Sequence, residues 1–321
     1  MAKYQTPKDK HSLYFKVKDP ILLLPFLLEV MPNRGRNSVK SILKRGQVTV
    51  DDHIETKHDY RLHPGQTIAI LKNKAAAKEN ILVGMTILYE DQDLIVIHKE
   101  AGLLSIATLK EKKMTAYHQL IEHVRREHPQ NKIFVVHRLD KDTSGVMMFA
   151  KNERTKQALQ RSWRESVKKR TYVALVEGKV STKNGYISSW LKETSTHLMY
   201  SSPTNNGGQH AITHYKVLQS NQHFSLLEVQ LETGRKNQIR VHMQDLGHPV
   251  VGDKKYGSKH NPIRRLGLHA KTLSFIHPTK GKQLTFEAEV PKTFWKVSKK
   301  IEDASKKIFT NPIMKQFIIL L

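Results

Sequence analysis

Residues 133 to 151 hold the densest group of side chains able to do chemistry. Two apolar runs, 133–136 and 146–150, flank a stretch containing His137, Arg138, Asp140, Asp142, Thr143, Ser144 and Gly145. The runs are rich in β-branched and aromatic residues and read as buried strands. The stretch between them is then a loop at strand ends, and loops held by a rigid scaffold are where catalytic groups collect. A carboxylate there can attack carbon or carry a proton, provided a fixed cation balances its charge. Composition alone leaves a solvated charged turn as the alternative, since charged turns are common.

A second dense stretch runs from 231 to 243, where Arg235, Lys236 and Arg240 follow Gly234. By itself it reads as the start of a basic helix facing a polyanion. Between the two stretches, 169–178 has the pattern of a strand, with Tyr172 on the face of Ala174 and Val176. Other chemistries find no support. Cysteine is absent, which excludes disulfides, thiol catalysis and Cys-ligated zinc. The eighteen histidines form no His-Glu-x-x-His pattern, and no Gly-rich nucleotide fingerprint follows a strand. Neither a metal nor a cofactor is expected.

The elements that must position these residues fall along a 321-residue chain, long enough for two cores. It carries 54 Lys and Arg against 29 Asp and Glu, a formal charge of +25, which points to a polyphosphate partner. Membrane insertion is not expected, because the longest apolar runs, 21–28 and 317–321, fall far short of ~20 residues. The first run is broken by Pro25 and followed by Glu29, so it does not read as a secretory signal, and a cytoplasmic monomer is expected. Residues 1–18 read as a basic arm or edge element, and 19–72 as a small domain. In it Val39, Ile42 and Leu43 form the apolar stripe of a helix with N-cap candidates at 36–38 and a C-cap at Gly46. Arg36, Lys40, Lys44 and Arg45 make its basic side, suited to phosphates. A charged, apolar-poor linker at 73–83 leads into the large domain, 84–297, followed by a C-terminal extension, 298–321, with an apolar end. The large domain opens with two strands around an acidic turn (87–99), then a helix at 114–128. A helix at 152–169, strands at 198–201, 211–217 and 224–231, and a turn at 205–208 follow.

His137-Arg138-Leu139-Asp140-x-x-Thr143-Ser144-Gly145, followed by an apolar strand, resembles the catalytic motif of the RluA family of RNA pseudouridine synthases. Lys169-Arg170-Thr171-Tyr172, Leu231-x-Thr233-Gly234-Arg235-x-Asn237-Gln238-Ile239-Arg240-Val241-His242 and Gly247-His248-Pro249 extend the resemblance, with Asn237 where the family has histidine. Glu100 likewise departs from the family's Asn-Lys-Pro-Ala-Gly opening. The resemblance implies that Asp140 is the catalytic carboxylate, Arg235 its ion-pair partner and Tyr172 an active-site base. It also implies that Arg138 fills the gap left by a flipped-out uridine, and His137 and Arg240 are taken as RNA contacts. Residues 20–71 resemble the alpha-L RNA-binding module of small-subunit ribosomal protein S-four, carried by 36–40 and 45–50. The fold expected is α+β: a mixed, largely antiparallel sheet with flanking helices and a central catalytic cleft, preceded by that module. The implied substrate is structured RNA, ribosomal RNA from the large subunit before transfer RNA. A ribosome-associated binding or assembly protein with a spent active site is the second reading, motivated by Asn237 and Glu100. A methyltransferase is third and lacks a cofactor loop.

Overall fold

In the N-terminal part, helix formation follows the apolar stripe. The computed structural model describes residues 12–71, 82–109 and 111–299. Residues before 12, the linker across 72–81 and the apolar tail lie outside them. Two compact units result, one ending at Val83 and one beginning at Gly84. In the first, α1 (Leu23–Val30) takes up the apolar run, and Pro25 sits in its first turn, where a missing N–H costs no helical bond. α2 (Arg36–Lys44) buries Val39, Ile42 and Leu43. Its N-cap is Gly35 with no side-chain cap, so 36–38 lie in the first turn instead of capping it. Gly46, at φ +65°, lets the chain leave the helix.

Strands β1 (Ser12–Lys16), β2 (Ile21–Leu22), β3 (Val48–Val50), β4 (His53–Ile54), β5 (Arg61–Leu62) and β6 (Thr67–Leu71) complete this unit. The order β1-β6-β3-β4 is antiparallel throughout, and β2 pairs with β5. Residues 12–16 are therefore the edge element of this sheet, not a free arm, and Val17 joins its core.

The second unit is built on one large sheet. Its strands are β7 (Met85–Glu90), β8 (Leu94–Lys99), β9 (Phe134–Val135), β10 (Ser144–Ala150), β11 (Val167–Glu177), β12 (Asn184–Glu193), β13 (Met199–Ser202), β14 (Gln209–Ser220), β15 (Phe224–Leu231), β16 (Leu268–Ile276) and β17 (Gln283–Glu287). The order is β13-β12-β14-β15-β11-β16-β10-β8-β7, with β17 on β16 and β9 on β10. All ladders are antiparallel except β10 against β16. Helices α3 (Ala116–Arg125), α4 (Glu153–Arg161), α5 (Trp163–Ser166), α6 (Gln238–Asp245) and α7 (Lys292–Ser298) flank it. The α+β expectation holds, with a large and mostly antiparallel sheet.

Two local readings change. Helical structure after 152 breaks at Ser162 and ends at Ser166, so β11 starts at Val167. Strand β12 lies between β13 and β14, which do not pair with each other. It escaped the sequence reading because Tyr186 and Trp190 on one face match Ile187 and Leu191 on the other, leaving no period-two contrast.

Alternation along the central strands serves two cores. Ala174, Val176, Leu227 and Val229 pack with Ile239 and Met243 of α6. The intervening Val173, Leu175 and Leu226 pack with Phe294 of α7. The sheet is thus a rigid floor between two helices, and α6 carries part of the dense motif.

Where β10 meets β16, Gly145 has φ +118° and a Cβ there would sit 2.0 Å from the carbonyl oxygen of Ala270. Both the backbone conformation and the close approach demand glycine. Gly145→Ala is expected to destabilise the protein by more than about 3 kcal/mol, seen as a lowered melting temperature or insoluble expression. An unchanged melting temperature would contradict this packing.

Candidate active site

The loop between β9 and β10 is pinned on both sides of Asp140. The Ser105 hydroxyl donates to the Leu139 carbonyl at 2.6 Å and accepts from the Leu139 amide at 3.3 Å. Lys99, fully buried, donates to the carbonyls of Lys141 (3.0 Å), Leu103 (2.8 Å) and Glu100 (3.0 Å). Those bonds use all three ammonium donors, while burial pushes its pKa down to about 7. The Thr143 amide donates to the Asp140 carbonyl at 3.2 Å. A chain held at these points presents the Asp140 side chain, 39% exposed, at a cleft.

Its cationic partner comes from α6. Arg240 Nη1 lies 3.1 Å from Asp140 Oδ2. The same guanidinium is gripped from behind by Asp253, through Nε to Oδ2 at 2.6 Å and Nη2 to Oδ1 at 2.8 Å. Asp253 is 1% exposed. Nη1 also donates to Asn237 Oδ1 at 3.1 Å, and the guanidinium lies over the Tyr256 ring, 4.9 Å from its centroid. Asn237 precedes α6 with φ +55°, a left-handed conformation that asparagine tolerates, and donates through Nδ2 to the Tyr256 hydroxyl at 2.9 Å. The Asp253 bonds and the charges of both carboxylates raise the pKa of Arg240 despite its burial.

The expected pairing of Arg235 with Asp140 is therefore corrected. Arg235 lines the same cleft, but its Nε donates to the His210 carbonyl at 3.0 Å, and its amide donates to Gln238 Oε1 at 2.9 Å. On the helix Arg240 sits one turn inward of Asn237, while Arg235 precedes the helix and is held against β14. Arg240, expected as an RNA contact, instead has its donors committed to two aspartates. His137 lines the cleft and is also tied to the sheet. Its Nε2 accepts from the Met148 amide at 3.1 Å, its ring tilts over Trp163 at 5.3 Å, and burial with nearby Arg170 lowers its pKa to about 3. The neutral ring, half-buried on the cleft wall, is thus a strut tied to β10.

Tyr172 and the exposed Arg138 line the cleft with Asp140 and Arg235. Burial raises the phenol pKa of Tyr172, the Arg170 guanidinium opposes this, and the charge of Asp140 adds to it. Arg170, which reaches over Trp163 with its carbon 5.8 Å from the ring centroid, stands in a motif of the resemblance, as does Asp253, but neither was assigned a role from sequence. Nothing in linear spacing links Asp253, a lone turn acid, to an arginine thirteen residues earlier. The cleft measures about 1000 Å³ and shares Asp140, Tyr172 and Arg235 with a recess of about 80 Å³ under α6. Arg36, Lys40, Lys44 and Arg45 are exposed on α2 in the other unit, opposite its buried stripe.

One group of potential metal ligands occurs among the described residues, Asp91, Asp93 and His277. Its atoms are already engaged: Asp91 accepts from the amides of Asp93 and Leu94 and from Tyr89, Lys280 and His277. His277 Nδ1 accepts from the Lys280 amide. It reads as a folded turn and holds no free ligand set.

Two fully buried histidines brace the site, and burial lowers both to about 4. His242 contacts the hydroxyls of Thr213 (2.8 Å) and Ser189 (2.9 Å), and His269 that of Ser144 (2.7 Å). Unfolded histidine titrates near ~6.5, so the unfolded chain takes up protons first as pH falls. The stability their neutral forms confer is complete above that value and is lost from about pH 6.5 down to about 4. Urea midpoints should fall between pH 7.5 and 5, and His242→Gln with His269→Gln should flatten the decline. A midpoint independent of pH in wild type would contradict neutral burial.

Comparison with known proteins bears on this arrangement. The family model described as RNA pseudouridylate synthase matches residues 93–245. An uncharacterized RNA pseudouridine synthase of Mycoplasma pneumoniae is 33% identical over 295 residues, covering 89% of this chain and 93% of its own. A ribosomal large subunit pseudouridine synthase D of Neisseria meningitidis is 33% identical over 282 residues, covering 83% of this chain and 74% of its own. Among solved structures, human RNA pseudouridylate synthase domain containing 1 superposes with a TM-score of 0.54 at 23% identity, covering 71% of this chain and 96% of that one, a likeness of fold.

Proposed function

The chain belongs to the RNA pseudouridylate synthase family, and from that premise we propose that Asp140 is its catalytic carboxylate and Arg240 the residue that aligns it. The observation that carries this is the bridge from Asp253 through Arg240 to Asp140, at the mouth of a cleft of about 1000 Å³. A carboxylate so placed can attack carbon 1′, or take the proton from carbon 2′ to leave a glycal, while the bond to base nitrogen 1 breaks. The base then turns and its carbon 5 bonds to carbon 1′ as the bond from carbon 1′ to the carboxylate breaks, or as the glycal regains its carbon 2′ proton; carbon 5 loses its proton and nitrogen 1 gains one. Tyr172 is the proposed acceptor of the carbon 5 proton, with Arg170 favouring its phenolate against burial. Arg138, exposed on the cleft wall, is the side chain proposed to occupy the place of the extruded base.

The proposed substrate is a uridine in large-subunit ribosomal RNA. The relative from Neisseria meningitidis bears that substrate in its name, and the +25 charge suits a polyanion. The first unit is proposed as an alpha-L RNA-binding module of the RluA-type enzymes, gripping phosphates through Arg36, Lys40, Lys44 and Arg45 and raising the local concentration of RNA. No helix among the described residues is long and apolar enough to cross a membrane. A cysteine-free chain suits the cytoplasm, where it is proposed to act as a monomer.

Release of tritium from RNA labelled at uridine carbon 5 tests the chemistry. Asp140→Asn should lower release by at least about a thousandfold, with RNA binding retained. Arg240→Gln should lower it by about a hundredfold and Arg235→Gln by less, because only the former leaves Asp140 without its aligned partner. Equal release by wild type and Asp140→Asn would end the assignment. For the first unit, Lys40→Gln with Lys44→Gln should weaken RNA binding and reduce the slope of log affinity against log salt by about 2. An unaltered slope would remove α2 from the interface.

A further inference from the structure

The open face of β12 and β14 carries a row of rings that the proposed reaction does not use. Tyr186 lies against His214, with centroids 5.9 Å apart, and Trp190 against His210 at 5.1 Å. The two pairs are in register across the ladder, Tyr186 opposite His214 and Trp190 opposite His210. Four residues along a strand place them about 13 Å apart on one face. Cross-strand ring contacts stabilise a sheet, which accounts for the pairing. It does not account for Tyr186 being 69% exposed, where the sheet gains little from its area.

The row starts beside the cleft. Arg235, on the cleft wall, donates to the carbonyl of His210, the residue whose ring meets Trp190. The rings project from the face of the sheet opposite α6 and the Tyr172 side chain, so an RNA strand reaching them passes around the end of β15. Charge on this face is arranged at its ends: Lys192 flanks Trp190 on one side, and Lys216, paired with Asn184, lies beyond Tyr186 on the other. Glu232 and Glu228 share the face, but Glu232 is engaged by His214, and Glu228 lies opposite Lys216 and near Lys271. Flat π-faces at intervals, between cations and next to the end of the cleft, where the cleft-lining Glu232 contacts His214, are the elements that bind unpaired bases without reading sequence.

We propose that this face is a stacking platform for an unpaired stretch of the RNA whose target uridine occupies the cleft, with Trp190 and Tyr186 each holding one base. The proposal rests on the family reading for the nature of the polymer. It does not depend on which residue performs the chemistry.

The test uses the full chain carrying Asp140→Asn, so that binding is read without turnover. The probes are a fluorescein-labelled 12-nucleotide oligouridylate and a 12-base-pair RNA duplex, followed by anisotropy at fixed salt. Trp190→Ala and Tyr186→Ala should each weaken the single strand by about tenfold and leave the duplex within about twofold. Trp190→Phe should keep most of the affinity, which separates loss of a ring from loss of fold. Ultraviolet cross-linking of the oligouridylate should place uracil adducts on the peptide containing Tyr186 or Trp190. Unchanged affinity in both alanine variants with unaltered melting temperatures would overturn the proposal, as would adducts confined to the cleft. Loss of self-association in Tyr186→Ala, with RNA affinity intact, would assign the face to a second copy of the chain instead. Because tritium release by the wild-type protein is measured separately, failure here leaves the catalytic assignment standing, and failure there leaves this result standing.

Discussion

One buried ion pair organises the site: Asp253, almost wholly enclosed, holding the guanidinium of Arg240 at two points. Taking both charges out of water is costly, and only good geometry offsets it. Two parallel hydrogen bonds to a planar fork supply that geometry, which lysine could not. With Nε and Nη2 committed, Nη1 is left to donate to Asn237 and to Asp140. The exposed carboxylate is thus positioned by a cation that is itself immobile.

Three stretches of chain meet in this bridge, and each is fixed by different physics. Asp140 sits on a loop whose carbonyls are tied to the buried Lys99 and to Ser105. Arg240 projects from a helix packed by Ile239 and Met243 onto the sheet. Asp253 occupies a turn whose glycine, Gly252, has φ +77° and leaves a Cβ only 2.4 Å from the Arg265 carbonyl. Sites anchored on packed elements hold their geometry more tightly than sites on free loops. The departure at position 237 fits the same frame. Asparagine enters a left-handed conformation that starts α6, and its amide spans Arg240 and Tyr256, so the position serves as a brace without needing a proton.

The large sheet does more than hold the site. Its central strands are covered on both faces, by α6 and by α7, and there alternation makes two cores. Toward β12 and β13 the cover continues on one face, where Val241 and Tyr256 meet Leu191 and Met199, while the other face shows tyrosine, tryptophan and histidine to solvent. A floor rigid at the chemistry and open at its margin suits a long polymer of which only one unit reacts.

Sequence alone singled out the residues proposed for the chemistry, because Asp140, Tyr172 and the Arg235–Arg240 run stand in short motifs whose types and order are local. Strand patterns and a charge of +25, properties of period and composition, pointed to an antiparallel-rich fold and a polyanionic partner, and the resemblance pointed to RNA. The tertiary structure decided which arginine faces the carboxylate. Both lie within a few residues of each other, and only the turn of α6 and the grip of Asp253 distinguish them. It likewise turned His137 inward, where the amide of Met148 takes its ring nitrogen, and placed β12 between β13 and β14. Such choices depend on contacts between residues distant in the chain, which no local spacing encodes.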